Sequence, residues 1–163
     1  MVQASRLKIY VVILVLFFAE VVLFGNLRIF GARPSLLLIT TLFFGFNFGM
    51  ARGAEVGLVS GVLTDMLSIG SFGINTFSFL LAGSLSGYLK DKLFRDNFVT
   101  QFFLSNVSIY LIAGVYFLYF DKILKTDPGA GFLRLSLAKG LYTGLLAPIL
   151  FFILTMIFRA RES

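Results

Sequence analysis

Residues that could carry acid–base or metal chemistry are few in this chain. The sequence contains no histidine and no cysteine, which excludes the commonest general base, the commonest neutral metal ligand and every disulfide or thiolate site. The charged residues Glu20, Asp65 and Lys139 lie inside apolar stretches and share no motif with one another. No nucleophile with a neighbouring base and no set of paired carboxylates is evident. We therefore predict that the chain is not an enzyme and uses no metal or cofactor.

Asp65 is the most informative of these charged residues. It follows Gly57 and Gly61 at four-residue spacing, which places all three near one face of a helix, and a Gly-Ser-Phe-Gly turn from Gly70 to Gly73 comes next. A carboxylate facing lipid is costly. We expect Asp65 to be a buried hydrogen-bond anchor that caps the following turn or holds a neighbouring helix. A proton or cation site is the alternative.

Glu20 and Lys139 raise the same question in the first and last apolar stretches. Lys139 could snorkel outward to the interface, or it could form an ion pair inside the membrane with either Glu20 or Asp65. The sequence leaves these alternatives open.

The elements that position these residues follow from composition. Of 163 residues, 58% are hydrophobic and 13% are charged, whereas a soluble domain has roughly 25% charged residues. Lipid is the solvent that suits such a chain. Six apolar stretches cover residues 9–24, 35–51, 55–69, 75–89, 98–120 and 132–158. The sequence therefore predicts a single all-α membrane domain over residues 1–163, a polytopic bundle of about six transmembrane helices.

Local features add detail to this prediction. We expect Pro34 in the first turn of the second helix, a tight polar turn over residues 50–55, and an interruption of the sixth helix at Pro148. The 21 phenylalanines are expected to be lipid-facing bulk. No small-residue cleavage pattern follows the first apolar stretch, which is therefore predicted to be an uncleaved span.

The basic residues predict the orientation. With the N-terminus in the cytoplasm and six spans, eight lysines and arginines lie inside and about five lie outside, which favours an N-in, C-in topology. The densest basic cluster, Lys90, Lys92 and Arg95, forms a cytoplasmic loop in this topology. We interpret the net charge of +6 as a determinant of topology rather than as a nucleic-acid site.

Glycines recur at four-residue spacing. One series runs through Gly45, Gly49, Gly53, Gly57 and Gly61, and shorter pairs are Gly83 with Gly87 and Gly140 with Gly144. Small residues at this spacing let helices approach closely in lipid. They predict packing within this bundle or a docking groove for a partner's transmembrane helix.

Three segments together resemble the bacterial rod shape-determining protein MreD family. They are RPSLLL at residues 33–38, GAEVGLVSGVLTD at residues 53–65 and GSFGIN at residues 70–75. Chain length, six spans and short loops agree with that family. One departure is Ser35, since relatives often carry Asp after the proline.

The resemblance implies a component of the cell-elongation machinery in the bacterial cytoplasmic membrane, without enzymatic activity. It implies binding to the bitopic protein MreC, and action with the filament protein MreB and the peptidoglycan synthase of RodA and its transpeptidase. Pro34, Gly57, Gly61, Asp65, Gly70 and Gly73 would then be helix-packing or partner-docking residues. The basic loop would face MreB or anionic lipid, and attraction to lipid is the simpler account.

Two other functions remain as alternatives. The first is the small-molecule-binding S component of an energy-coupling-factor transporter, which has a similar architecture of about six helices. The first apolar stretch lacks the Ala-x(3)-Ala pattern typical of that class. The second is an ion-coupled transporter that uses Asp65.

Overall fold

The computed structural model describes residues 6–24, 33–68, 73–90, 92, 97–119 and 129–159. Over these residues the chain is all helical, with six helices and no strand. The helices are α1 (Arg6–Phe24), α2 (Leu36–Phe48), α3 (Met50–Met66), α4 (Ile74–Tyr88), α5 (Phe98–Leu118) and α6 (Gly129–Arg159). The prediction of a six-helix all-α fold is therefore confirmed for the described part of the chain.

The central element of the bundle is α2. Every residue from Leu36 to Phe46 is buried, and α2 contacts each of the other five helices. A helix that is apolar on all sides needs burial on all sides. At 13 residues it rises only about 20 Å, which is short for a helix exposed to lipid. Enclosure by its neighbours explains how a short apolar helix is accommodated.

A single residue separates α2 from α3. Gly49 has a φ of 96° and a ψ of 176°, a positive-φ conformation close to the mirror image of the extended region, which glycine adopts without steric cost. The prediction of a polar turn over residues 50–55 is therefore wrong, because these residues form the first turns of α3. Their polar side chains lie on a helix surface, where Arg52 Nη1 contacts Glu55 Oε2 at 2.8 Å across one turn.

Phenylalanine rings build much of the core. Phe43, Phe44, Phe46 and Phe151 are at most 3% exposed. Phe43 packs edge-on against Phe151, with 5.4 Å between ring centroids, a geometry that aromatic rings prefer. The prediction that the phenylalanines are lipid-facing bulk is thus wrong for this cluster, since α2 and α6 bring the rings together in the interior. Others, such as Phe18, are exposed.

Two helices in the described ranges are long and apolar enough to cross a membrane. They are Phe98–Leu118, which is α5, and Arg134–Phe158 within α6. The sixth helix continues through Pro148, so the predicted interruption is wrong, whereas a kink at this residue stays a prediction. A proline removes one backbone donor, and neighbouring groups in a bundle can compensate for that loss.

Candidate functional site

Asp65 connects the end of α3 to the start of α4. Its side chain is 1% exposed and accepts five hydrogen bonds. Oδ1 accepts from the Asn75 backbone N–H at 3.1 Å and from Asn75 Nδ2 at 3.0 Å. Oδ2 accepts from the backbone N–H groups of Gly73 and Thr76, both at 2.9 Å, and from the Thr76 hydroxyl at 2.5 Å. Asp65 thus serves as the cap of a helix other than its own.

The reason for this arrangement is the N-cap residue of α4. Gly73 has a φ of 96° and no side chain to accept from the first turn, so the N–H groups there need another acceptor. A carboxylate supplies it, and the positive end of the helix dipole favours its negative charge. Five donors also occupy the roughly four lone-pair sites of a carboxylate. This geometry is that of a structural anchor, and it leaves little capacity for a bound cation.

Glu20, near the end of α1, makes the same kind of contact with the start of α2. Its Oε2 accepts from the backbone N–H of Leu37 at 3.1 Å, which links the end of α1 to the first turn of α2. The N-cap Ser35 contributes a second acceptor at that helix end, for the N–H of Leu38 at 3.4 Å. Ser35 also donates its own N–H to Thr143 Oγ1 on α6 at 3.3 Å. Glu20 and Asp65 therefore both hold the N-terminus of the helix that follows them.

Pro34 lies just outside α2 rather than in its first turn. The helix begins at Leu36 after the extended N-cap Ser35, so Pro34 precedes the cap. Its side chain is buried. The helix starts later than predicted because Ser35 is its N-cap and needs an extended conformation to accept from the Leu38 N–H.

The glycine face of α3 packs directly on the backbone of α4. A Cβ atom at Gly57 would clash with the carbonyl oxygen of Phe79, and one at Gly61 would clash with Cα of Thr76. Asp65 then makes its hydrogen bonds at the end of the same contact. Because α4 covers this face, it has no space for a partner's transmembrane helix at Gly57 and Gly61.

Further glycines extend this close packing toward the other end of the helices. A Cβ at Gly53 would meet the carbonyl oxygen of Gly83, and one at Gly87 would meet the backbone of Met50. On α2, a Cβ at Gly45 would clash with the Ser86 hydroxyl. The three helices α2, α3 and α4 thus form a tight unit in which small residues face one another.

A cavity of about 240 Å³ lies between this unit and the α5–α6 pair. Besides the Tyr116 ring with its hydroxyl, its polar lining comes from five other side chains and one ammonium group. These are Ser35, Thr64, Ser68, Asn75, Ser136 and Lys139. Ser35, Thr64, Ser68 and Asn75 lie at the ends of α2, α3 and α4 that meet near Asp65, whereas Ser136 and Lys139 lie about two to three turns into α6. Sequence analysis missed the cavity because its wall is assembled from distant segments that share no motif.

Lys139 is partly buried and lines this cavity. Its charge and that of Glu20 attract each other, yet the Arg52–Glu55 contact is the one ion pair within 4.0 Å across the described residues. Neither of the two ion pairs considered for Lys139 is therefore formed as a direct contact. The described ranges also bring together no three carboxylates that could hold a metal ion.

The opposite end of the bundle carries a second polar contact that sequence analysis missed. The Tyr10 hydroxyl on α1 donates to Glu55 Oε1 on α3 at 2.6 Å, and Arg52 holds the other carboxylate oxygen. Lys92 lies near this end after α4, with its Nζ 3.1 Å from the Tyr88 hydroxyl. Lys90 is partly buried beside it. The other predicted residues, Gly70 and Arg95, fall outside the described residues.

Comparison with known proteins assigns the chain to a family. The family model described as "rod shape-determining protein MreD" matches residues 5–160, a range that includes all six helices. No curated protein and no solved structure matches the chain. The match agrees with the resemblance carried by the proline, glycine and aspartate segments. The chain therefore belongs to the MreD family of rod shape-determining proteins.

Proposed function

We propose that this protein is a multi-pass scaffold of the bacterial cytoplasmic membrane that positions a cell-wall synthesis complex during elongation. Family membership establishes the broader role, which is rod-shape determination by a membrane-associated protein of a family not known for enzymes. The match over residues 5–160 is the observation that carries the proposal. We propose residues 1–163 as one integral membrane domain with all six helices as spans.

The outer surface of the bundle supports a membrane location. Large apolar side chains are exposed along α1, α5 and α6, for example Val22 at 68%, Phe103 at 67% and Leu145 at 68%. An apolar surface of this extent is stable against lipid and would cause a water-soluble monomer to aggregate. The short α2 is enclosed by its neighbours, so it spans without meeting lipid.

The distribution of described basic residues supports the N-in, C-in orientation. Arg6, Lys8, Arg52, Lys90 and Lys92 lie where α1 and α3 begin and α4 ends. The Tyr10–Glu55 hydrogen bond and the packing of Gly87 against Met50 make these ends adjacent. Basic residues concentrate on the cytoplasmic side of membrane proteins. We propose that this end faces the cytoplasm and attracts anionic lipid or MreB.

We propose MreC as the main partner, with MreB, RodA and its transpeptidase in the same complex. The glycine face of α3 is filled by α4, so a partner helix would bind elsewhere on the bundle. Gly57, Gly61, Asp65 and Gly73 would then support docking indirectly, by holding the α3–α4 hairpin in shape. Pro34 would do so for the start of α2.

Co-purification from native membranes tests the scaffold proposal. We expect MreC to be recovered with the tagged protein after mild detergent extraction, and deletion of the gene to round the cells. The control is an unrelated multi-pass protein carrying the same tag. Absence of MreC from the eluate, together with normal rod shape in the deletion strain, contradicts the proposal.

The alternatives draw less support from the geometry. An ion-coupled transporter would need Asp65 oxygens that are free to bind a proton or cation, whereas five hydrogen bonds already occupy these oxygens. A vitamin-binding S component needs a pocket for a whole small molecule, and the cavity of about 240 Å³ is smaller than the roughly 300–1,000 Å³ of such sites.

A further inference from the structure

We propose that the cavity beside Lys139 binds an anionic headgroup, a phosphate ester carried on an apolar chain, whose tail extends into the bilayer. This inference goes beyond the scaffold role and rests on the wall of the cavity itself. The proposed binding site does not depend on which end of the bundle faces the cytoplasm. In the proposed N-in topology the site opens toward the outer leaflet.

The cation is the first argument. Lys139 lies five residues after Arg134, the first residue of the apolar span within α6, which is about 7.5 Å along the helix axis. An ammonium group at such a depth in a membrane bundle is costly and marks a site by default. It supplies three N–H donors to a cavity that it lines. An anion in the cavity would compensate this charge directly.

The second argument is that the nearby carboxylates already accept hydrogen bonds from helix N-termini. Glu20 accepts from the Leu37 N–H and lies beyond 4.0 Å of Lys139 within the described structure. Asp65 accepts five hydrogen bonds from the start of α4. Both carboxylates accept hydrogen bonds from helix N-termini, and Glu20 attracts the ammonium only from a distance, without a direct contact. Lys139 therefore keeps the capacity to bind an external anion.

The third argument is the division of the wall into polar and apolar parts. Hydroxyls such as Ser35 and Ser136 lie on the same wall as the ammonium, and the remainder is apolar, including Ile109 and Phe79. A free inorganic ion would gain nothing from the apolar part. A headgroup followed by methylene groups would contact both parts.

The size and opening of the cavity are the fourth argument. About 240 Å³ accommodates a headgroup and the first part of a chain, not a whole lipid. Leu135 lines the cavity and is also 44% exposed on the surface of α6. The cavity is not fully enclosed, and at Leu135 a single side chain separates it from the outer surface of α6. We propose this position as the route by which the chain leaves the cavity.

Binding of short-chain lipids to the purified full-length protein tests the proposal. The probes are dioctanoyl phosphatidic acid, dioctanoyl phosphatidylcholine and inorganic phosphate, each titrated by native mass spectrometry in neutral detergent. We expect phosphatidic acid to bind at least about tenfold more tightly than the other two, since a charge-assisted contact contributes about that factor. Equal binding of phosphatidic acid and phosphatidylcholine overturns the proposal, and so does equal binding of inorganic phosphate.

Variants locate the binding site. Lys139→Met should weaken phosphatidic acid binding about tenfold or more. Lys139→Arg should bind with an affinity within roughly threefold of the wild-type value, because the charge is retained. Lys92→Met removes a lysine at the other end of the bundle and should leave binding unchanged. Unchanged binding in Lys139→Met, or an equal loss in Lys92→Met, overturns the assignment.

A second variant keeps the test valid if Lys139→Met fails to fold. Ala113 lines the cavity from α5 and is partly buried, so Ala113→Phe fills the space while Lys139 remains. We expect this variant to lose phosphatidic acid binding and to keep its helical circular dichroism. Binding at the wild-type level shows that the lipid lies elsewhere. Because the assay uses no partner protein, its failure leaves the MreC proposal untouched.

Discussion

At the scale of single residues, two carboxylates accept hydrogen bonds from the N-termini of the helices that follow them. For α4 the carboxylate stands in for the missing side chain of Gly73, and for α2 it adds to the cap that Ser35 provides. Asp65 accepts from Gly73, Asn75 and Thr76, and Glu20 accepts from Leu37. In the proposed membrane location, lipid provides no water to satisfy these N–H groups, so each carboxylate offsets a penalty that a soluble protein could relieve by solvation. We therefore expect their removal to affect folding before it affects any partner.

Asp65→Asn should destabilise the protein by about 2 kcal/mol, because a neutral amide is a weaker acceptor and turns an NH2 group toward donors. The measurement is unfolding in detergent, followed by circular dichroism. Glu55→Gln is the matched control, since Glu55 is partly exposed and exposed ion pairs contribute less than about 1 kcal/mol. Equal stability of the two variants contradicts a capping role for Asp65.

At the scale of elements, the α3–α4 hairpin is the best-defined unit. Its glycines bring two backbones into contact, and Asp65 closes one end of the pair. Such contacts tolerate no added carbon, because the neighbouring atoms are backbone and cannot move aside. The α5 helix shows the opposite situation at Gly114, where an added Cβ would meet nothing within 4 Å.

Gly57→Ala should destabilise the protein by about 2 kcal/mol, since the new methyl group meets the Phe79 carbonyl oxygen. Gly114→Ala is the matched control and should be neutral or stabilising by up to about 1 kcal/mol through helix propensity. Thermal unfolding of both variants in the same detergent compares them. A stabilised Gly57→Ala protein is incompatible with the close α3–α4 packing.

The turn between α2 and α3 can be tested in the same way. Gly49→Ala should lower the free energy of unfolding by about 2 kcal/mol, because a φ of 96° with a ψ of 176° is a combination nearly restricted to glycine. Crowding is not the reason, since nothing lies within 4 Å of the added Cβ. Gly114→Ala again serves as the reference for a glycine without strain. If the two variants unfold at the same temperature, the positive-φ turn at Gly49 is not present in the folded protein.

At the scale of the whole molecule, α2 and α6 run in the same direction and present their starts to the cavity. The contact of Ser35 with Thr143 and that of Phe43 with Phe151 fix this parallel alignment. The cavity and both capping carboxylates lie at one end, and Arg52 and Lys92 lie at the other. The proposed orientation assigns the first end to the outside.

Labelling of single cysteines checks this orientation, since the natural chain has no cysteine. Lys92→Cys should react with a membrane-impermeant maleimide only after the cells are opened, and Arg33→Cys should react in intact cells. Both residues are exposed in the structure. The reverse pattern contradicts the N-in, C-in topology and moves the Lys139 cavity to the inner leaflet.

Much of the element level could be predicted from the sequence. The helix limits differ from the predicted stretches by a few residues, because hydrophobic runs and flanking polar residues are local signals. The polar turn at residues 50–55 was predicted wrongly, since Arg52 and Glu55 pair on a helix surface and Gly49 alone makes the turn. The position of Asp65 before a glycine-bounded turn predicted a capping role as one of its alternatives.

The sequence by itself determined the all-helical class, the family and the small-residue spacing, because composition and periodicity are properties of neighbouring residues. The tertiary structure alone decided which surface covers the α3 glycines and which phenylalanines form the core. It also decided that Lys139 lines a cavity rather than forming a direct ion pair with Glu20 or Asp65. These outcomes depend on contacts between distant segments, such as Ser35 with Thr143 across 108 positions, and no local period encodes such contacts.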